Sequence, residues 1–288
     1  MNLHKLLFEK NECYIINREV ETGKRSDKRY SNYQKNGPSG IMVHSTGASN
    51  NTLRRYVGPD DGLLGNNPNN NYWNQFNPGG RQVCVHAFIG VLKDDKTIAT
   101  YQVMPWNYRT WHGGSGKNGC INDTHIGFEI NEDRLTNAEY FNSVYVEATE
   151  LCAMLCKEYK LDPLKNGVLI DHSEGWRMGL ASDHSDVGYW FTKFNKSMAH
   201  FRDDVKKLLE SKPIENNNKG NEAVTQEQFN KMMDEWLNQQ KYKPISEWAE
   251  KEFNEAVNVG ITDGKSPLGI ITREQAAIMA LRASKKGN

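Results

Sequence analysis

The chain has 288 residues, 37% of them hydrophobic and 25% charged, which is lean for a globular protein but enough for one or two buried cores. Lys plus Arg and Asp plus Glu each number 36, so the formal net charge is zero and there is no basic excess to favour nucleic acid or an anionic membrane. The five cysteines (Cys13, Cys84, Cys120, Cys152 and Cys156) are odd in number and lack C-x-x-C spacing, which argues against a disulfide framework and for reduced thiols.

At the N-terminus only Leu6 to Phe8 are continuously apolar, too short for a signal-peptide core or a membrane span. The expectation is synthesis in the cytoplasm and no membrane insertion. Apolar runs then predict buried strands at Gly40–His44, Val83–Leu92, Ile98–Val103, His125–Ile130 and Val168–Asp171. Between the first two, residues 66–80 are rich in Asn, Pro and Gly and carry Tyr72, Trp73 and Phe76. They read either as a solvated insertion or as a lip beside a cleft.

Two amphipathic helices alternate with the strands. One places Phe141, Val144, Tyr145, Ala148, Leu151, Cys152, Leu155 and Tyr159 at three- and four-residue steps, with Cys152 and Cys156 as packing residues. The other runs from Phe191 through Phe194, Met198, Phe201 and Val205 to Leu208. The segment from Ser173 to Asp183 reads as a Gly-containing polar loop. The fold expected is α/β, a central mixed β-sheet flanked by helices, in a domain spanning residues 1–210.

Residues 211–222 (SKPIENNNKGNE) are polar and aperiodic, a linker. Residues 223–288 then predict a small helical module. Thr225 and Gln228 open a helix with Phe229, Met232, Met233 and Trp236; a second holds Trp248, Ala249, Phe253 and Ala256 and stops at Gly260; Thr272 and Gln275 cap a third.

Three strands end on residues able to do chemistry: Ile41-Met42-Val43 leads to His44, Ile126-Gly127-Phe128 to Glu129, and Leu169-Ile170-Asp171 to His172. In open α/β sheets sites gather at strand ends. A catalytic zinc needs about three His, Asp, Glu or Cys ligands and an open position, a count that His44, His172 and Asp186 meet. No helical H-E-x-x-H pattern occurs, which disfavours a thermolysin-type protease.

Five segments in order carry a resemblance: Val43-His44-Ser45-Thr46-Gly47, Trp111-His112-Gly113-Gly114, Asn122 with Ile126-Gly127-Phe128-Glu129, His172-Ser173-Glu174-Gly175, and Asp186-x-Gly188. Over residues 40–201 the chain resembles the zinc N-acetylmuramoyl-L-alanine amidases of the amidase-2 class, relatives of peptidoglycan recognition proteins. The resemblance implies Zn2+ on His44, His172 and Asp186, Glu129 as catalytic acid/base, and substrate contacts at Trp111, His112 and Asn122. His184 stands two residues before the third ligand, where many members carry Lys, and if protonated it would stabilise the oxyanion. His86 takes a family position near the metal but not on it, either behind the ligands or in packed core. His4, His125 and His200 read as structural.

The C-terminal Trp248-Ala249, Gly260-Ile261-Thr262-Asp263-Gly264 and Thr272-Arg273-Glu274-Gln275 resemble one S-layer-homology repeat, which implies wall binding; the alternative is a purely stabilising appendage. The implied partner is bacterial peptidoglycan, cut between N-acetylmuramic acid and L-alanine. A phage endolysin released through a holin, or a host autolysin, would bring such an enzyme from the cytoplasm to the wall. The competing readings are a non-catalytic peptidoglycan-binding protein and a zinc peptidase acting within the stem peptide. The oligomeric state is left open.

Overall fold

A computed structural model of the protein describes residues 1–133, 136–211, 226–241, 245–246, 249–268 and 272–286. The chain divides into two compact units, Met1–Lys212 and Pro213–Asn288.

The first unit is built on a six-stranded mixed sheet in the order β1-β4-β3-β7-β2-β8. Its strands are β1 (Leu3–Lys5), β2 (Gly40–Ser49), β3 (Ala87–Val91), β4 (Ile98–Gln102), β7 (His125–Glu132) and β8 (Leu169–Asp171). β3, β7, β2 and β8 form a run of successively parallel strands, β4 returns antiparallel to β3, and β1 pairs parallel with β4. Parallel central strands are covered on both faces and so read as unbroken apolar runs, which is why Ile41-Met42-Val43 is legible. A small hairpin, β5 (Ser115–Gly116) with β6 (Gly119–Cys120), stands apart from this sheet.

The two-residue alternation of each strand sorts the sheet's faces. Ile41, Val43, Ile126, Phe128, Ala87 and Ile89 join one core. Against it packs α3 (Ala138–Tyr159), through the predicted stripe of Phe141, Val144, Ala148, Leu151, Cys152 and Leu155. Met42 and Ile170 face the other way with Ile121 and Ala181. Phe88 faces that side too, in a further cluster with Phe8, Tyr56 and Tyr101. His44 and Glu129 follow Met42 and Gly127 by two residues, so both project from the face opposite α3.

Three sequence expectations change. The second amphipathic helix is two, α5 (Asp186–Lys193) and α6 (Met198–Glu210). Asn195 takes a left-handed φ of 55° and ends the first, and Ser197 caps the second by accepting from the His200 N–H. The apolar face persists across the break, with Phe191, Phe201 and Val205 all buried, so periodicity alone does not reveal it. The loop after His172 begins as a short helix, α4 (His172–Arg177), opened by a reciprocal capping box between Asp171 and Glu174. Two polar helices, α1 (Glu12–Glu21) and α2 (Lys28–Asn36), precede the first predicted strand. They are capped by Asn11 and Asp27 and bury few residues, so their periodic signal is weak.

The second unit contains α7 (Gln226–Lys241), α8 (Glu250–Asn258) and α9 (Arg273–Lys286). Thr272 and Gln275 cap α9 reciprocally, at 2.8 and 3.2 Å. Thr225, Trp248 and residues 212–222 of the expected linker lie outside the described residues. Among the described residues no helix is long and apolar enough to cross a membrane.

Candidate metal centre

The parallel register sets His44 of β2 directly beside Glu129 of β7, and Val43 beside Asp171 of β8, one residue before His172. β2 and β7 do not end on His44 and Glu129 as the sequence suggests but run on to Ser49 and Glu132. His44 and Glu129, midway along β2 and β7, and His172, just past the end of β8, thus come to one place. Asp186 reaches it from the first turn of α5, where the helix dipole favours an anion. Its backbone φ of 23° is unusual for a non-glycine residue.

His44 Nδ1 lies 2.6 Å and His172 Nδ1 2.8 Å from the same Asp186 Oδ2, and the two nitrogens are 3.2 Å apart. These three residues could together hold a metal ion. Their chemistry fits: two imidazole nitrogens and a carboxylate oxygen, nearly closed to solvent, are a donor set suited to a zinc-like cation, and three atoms with lone pairs crowded this closely are satisfied by a positive charge between them. Burial raises the Asp186 carboxyl, but its contacts with His172 and His44 outweigh that and hold it below the usual carboxylate range. Burial holds His44 below the usual imidazole value even against the Asp186 charge.

Glu129 is the other unusual acid. Burial first, then the Asp186 and Glu132 charges, push it well above the usual carboxyl value. Its Oε2 is buried and finds no hydrogen-bond partner in the described protein. A polar atom left so is costly unless something outside the chain satisfies it.

These groups line a cleft of about 470 Å³. Trp111, His112, Asn122 and His184 line it as well. Trp111 anchors its indole N–H on Tyr30 Oη at 2.7 Å. Asn122 Oδ1 accepts from the backbone N–H groups of His112 and Gly113 at 3.0 and 2.9 Å. The exposed His184 ring lies 4.8 Å from the His172 ring, with Nδ1 3.3 Å from Ser182 Oγ. Both ring nitrogens of His112 are engaged, Nδ1 with His44 Nε2 at 2.9 Å and Nε2 with the His125 carbonyl at 3.1 Å.

His86 is fully buried away from the ligands, 6.4 Å from the His112 ring and stacked near Tyr33 and Trp106. Its Nε2 donates to the Tyr108 carbonyl and its Nδ1 accepts from the Gly127 N–H. The cleft also takes Tyr56, Trp73, Arg81 and Ser182, which the sequence does not single out as site residues. Trp73 belongs to the loop at residues 66–80, so part of that loop borders the cleft. For Tyr56 and Arg81 no local pattern exists, because only the tertiary fold brings them there.

A family model described as N-acetylmuramoyl-L-alanine amidase matches residues 34–189, just over half of the chain. Among curated proteins the chain has no match. Among solved structures it is similar to Staphylococcus aureus hydrolase AmiA in complex with its ligand, at 21% identity and a TM-score of 0.42, over 60% of this chain and 73% of that one. It is similar to the PlyG catalytic domain at 17% identity and a TM-score of 0.43, over 74% and 99%. A mutant endolysin from Bacillus subtilis is 23% identical with a TM-score of 0.37, over 58% and 85%. By the span of the family match, which encloses His44, Glu129, His172 and Asp186, the chain belongs to the N-acetylmuramoyl-L-alanine amidase family of the amidase-2 type.

Proposed function

We propose that the chain is a zinc-dependent amidase that hydrolyses the bond between the lactyl group of N-acetylmuramic acid and L-alanine in bacterial peptidoglycan. The observation that carries this reading is the convergence of His44 Nδ1, His172 Nδ1 and Asp186 Oδ2 in the cleft that also holds Glu129, whose buried Oε2 has no partner in the described protein. Bound there, zinc would polarise the scissile carbonyl and lower the pKa of an attacking water toward neutrality.

The chain's own groups supply the proton traffic. Glu129 takes a proton from the attacking water and returns it to the amine of L-alanine as the C–N bond breaks. His184, exposed at the cleft beside His172, would if protonated donate to the carbonyl oxygen as negative charge develops on it. Tyr56 and Trp73 give the cleft an aromatic wall for the saccharide or peptide. In a cell such an activity would serve a phage endolysin or an autolysin, made in the cytoplasm and acting at the wall.

Digestion of purified sacculi with mass spectrometry of the products tests the reading. Muropeptides bearing a free L-alanine amino terminus are expected, with about one zinc per chain and activity lost to a chelator and restored by zinc. A different new amino terminus would identify a stem-peptide peptidase, and binding to sacculi without any cleavage would leave only a binding protein.

A further inference from the structure

We propose that His112 is a positioning residue that fixes which nitrogen His44 turns to the metal, an inference that rests on the zinc reading above. The argument starts at the far end of a short chain of contacts. The His125 carbonyl can only accept, so His112 Nε2, 3.1 Å away, carries the proton. A neutral imidazole has one N–H, so His112 Nδ1 is left with its lone pair. That lone pair faces His44 Nε2 at 2.9 Å, which must therefore be the donor. With its proton committed there, His44 presents the Nδ1 lone pair to Asp186 and His172, the direction a cation requires.

Two independent features hold His112 in place. A Cβ on Gly127 would fall 2.3 Å from the ring, so the ring lies against the β7 backbone in space that only glycine leaves open. From the other side, buried Asn122 pins the backbone N–H groups of His112 and Gly113. Gly113 extends the same device to the second histidine. Its carbonyl accepts from Ser182 Oγ at 3.3 Å, and Ser182 Oγ in turn receives His172 Nε2 at 3.3 Å. One pinned segment thus orients both imidazoles, one through a ring and one through a hydroxyl.

The test uses the full chain and zinc itself. The zinc dissociation constant of wild type, His112→Phe and His112→Gln is measured by competition with a chromophoric chelator, alongside thermal unfolding of the metal-free proteins. His112→Phe is expected to bind zinc 10–100-fold more weakly, the usual loss when an outer partner of a ligand is removed. His112→Gln, which can still offer an acceptor oxygen, should recover most of that affinity. Nitrogen-15 spectra of the zinc-loaded wild type should show His112 protonated on Nε2 and not on Nδ1, and His44 protonated on Nε2. Wild-type affinity in a folded His112→Phe protein, or a proton on His112 Nδ1, overturns the inference. Should His112→Phe fail to fold, the spectra of the wild type decide. A wild type that takes up no zinc would instead overturn the zinc reading, and this inference with it; a zinc-loaded wild type with an indifferent His112→Phe sinks this inference alone.

Discussion

Glu129 and Asp186 are carboxyls in one cleft with opposite settings. Burial dominates Glu129 and raises it, whereas two imidazoles overcome burial at Asp186 and lower it. Two acids pushed apart in this way can divide labour, one holding a cation and the other moving protons. Substitution separates the two roles. Glu129→Gln preserves shape and, on the proposed mechanism, removes only the proton shuttle, so zinc content and fold should stay at wild-type levels while turnover falls on the order of 10²-fold or more. Product release from sacculi, measured beside metal analysis, checks this, and near-normal turnover would move the acid/base role elsewhere, with His184 the first candidate. Asp186→Ala should do the reverse at the level of the metal, leaving a protein that folds but retains little zinc after dialysis. Full zinc content in that variant removes Asp186 from the ligand set.

At the scale of elements, what the sequence discloses and what it hides follow from the range of the contacts. β2, β7 and β8 are legible because a strand buried on both faces is a local apolar run, and the chemically capable residues that follow each run, His44, Glu129 and His172, stand out against it, although β2 and β7 continue past them. The α3 stripe is legible for the same reason. The break between α5 and α6 is hidden because one left-handed residue, Asn195, interrupts a face that stays apolar on both sides. α4 carries a readable signal, the Asp171-x-x-Glu174 capping pair, overshadowed by the polar residues that follow it. The cleft gathers His112, Tyr56 and Arg81 from distant segments, and single-chain periodicity holds no record of that.

β7 also begins on a histidine with a measurable consequence. His125 donates from Nε2 to the Gly167 carbonyl ahead of β8 and accepts at Nδ1 from Thr124 Oγ1, so the fold demands its neutral form. Burial lowers it from the usual 6.5 to about 4, with the Gly167 contact only partly opposing. A histidine depressed in the folded state takes up its proton in the unfolded state first. Its contribution is therefore fully present above about pH 6.5, falls as pH drops toward 4, and is spent below that. Between pH 7 and pH 4.5 this one group should cost about 2 kcal/mol of stability. Urea unfolding of His125→Gln at the two pH values checks it, the variant being expected to show a smaller acid loss than wild type. An equal loss in both proteins would assign the acid sensitivity to other groups, with buried His86, also lowered to about 4, next in line.

At the scale of the whole molecule the two units differ in how they are built. The first encloses Phe141, Trp190, Phe191 and Phe201 completely, and every group of the candidate metal centre lies within it. In the second, α8 has no buried residue, and Met233, Trp236, Ile278 and Leu281 are exposed. A small helical unit that keeps large apolar side chains at its surface is suited to meeting something else, and we read it as the wall-binding module that its resemblance to an S-layer-homology repeat implies. A protein ending at Glu210 should then stay soluble, bind zinc and cleave soluble muramyl-peptide fragments at close to the full-length rate. On intact cell walls it should fall behind the full-length protein, on the order of 10²-fold at low enzyme concentration, because tethering turns each later encounter with substrate into an intramolecular one. The isolated piece from Ala223 onward should sediment with sacculi in the absence of the first unit. Turbidity loss of whole cells, fragment hydrolysis and sedimentation together decide the matter. Equal lysis by the full-length and shortened proteins, with no sedimentation of the isolated piece, would reduce the second unit to a structural appendage and place all wall recognition in the cleft between His44 and Trp73.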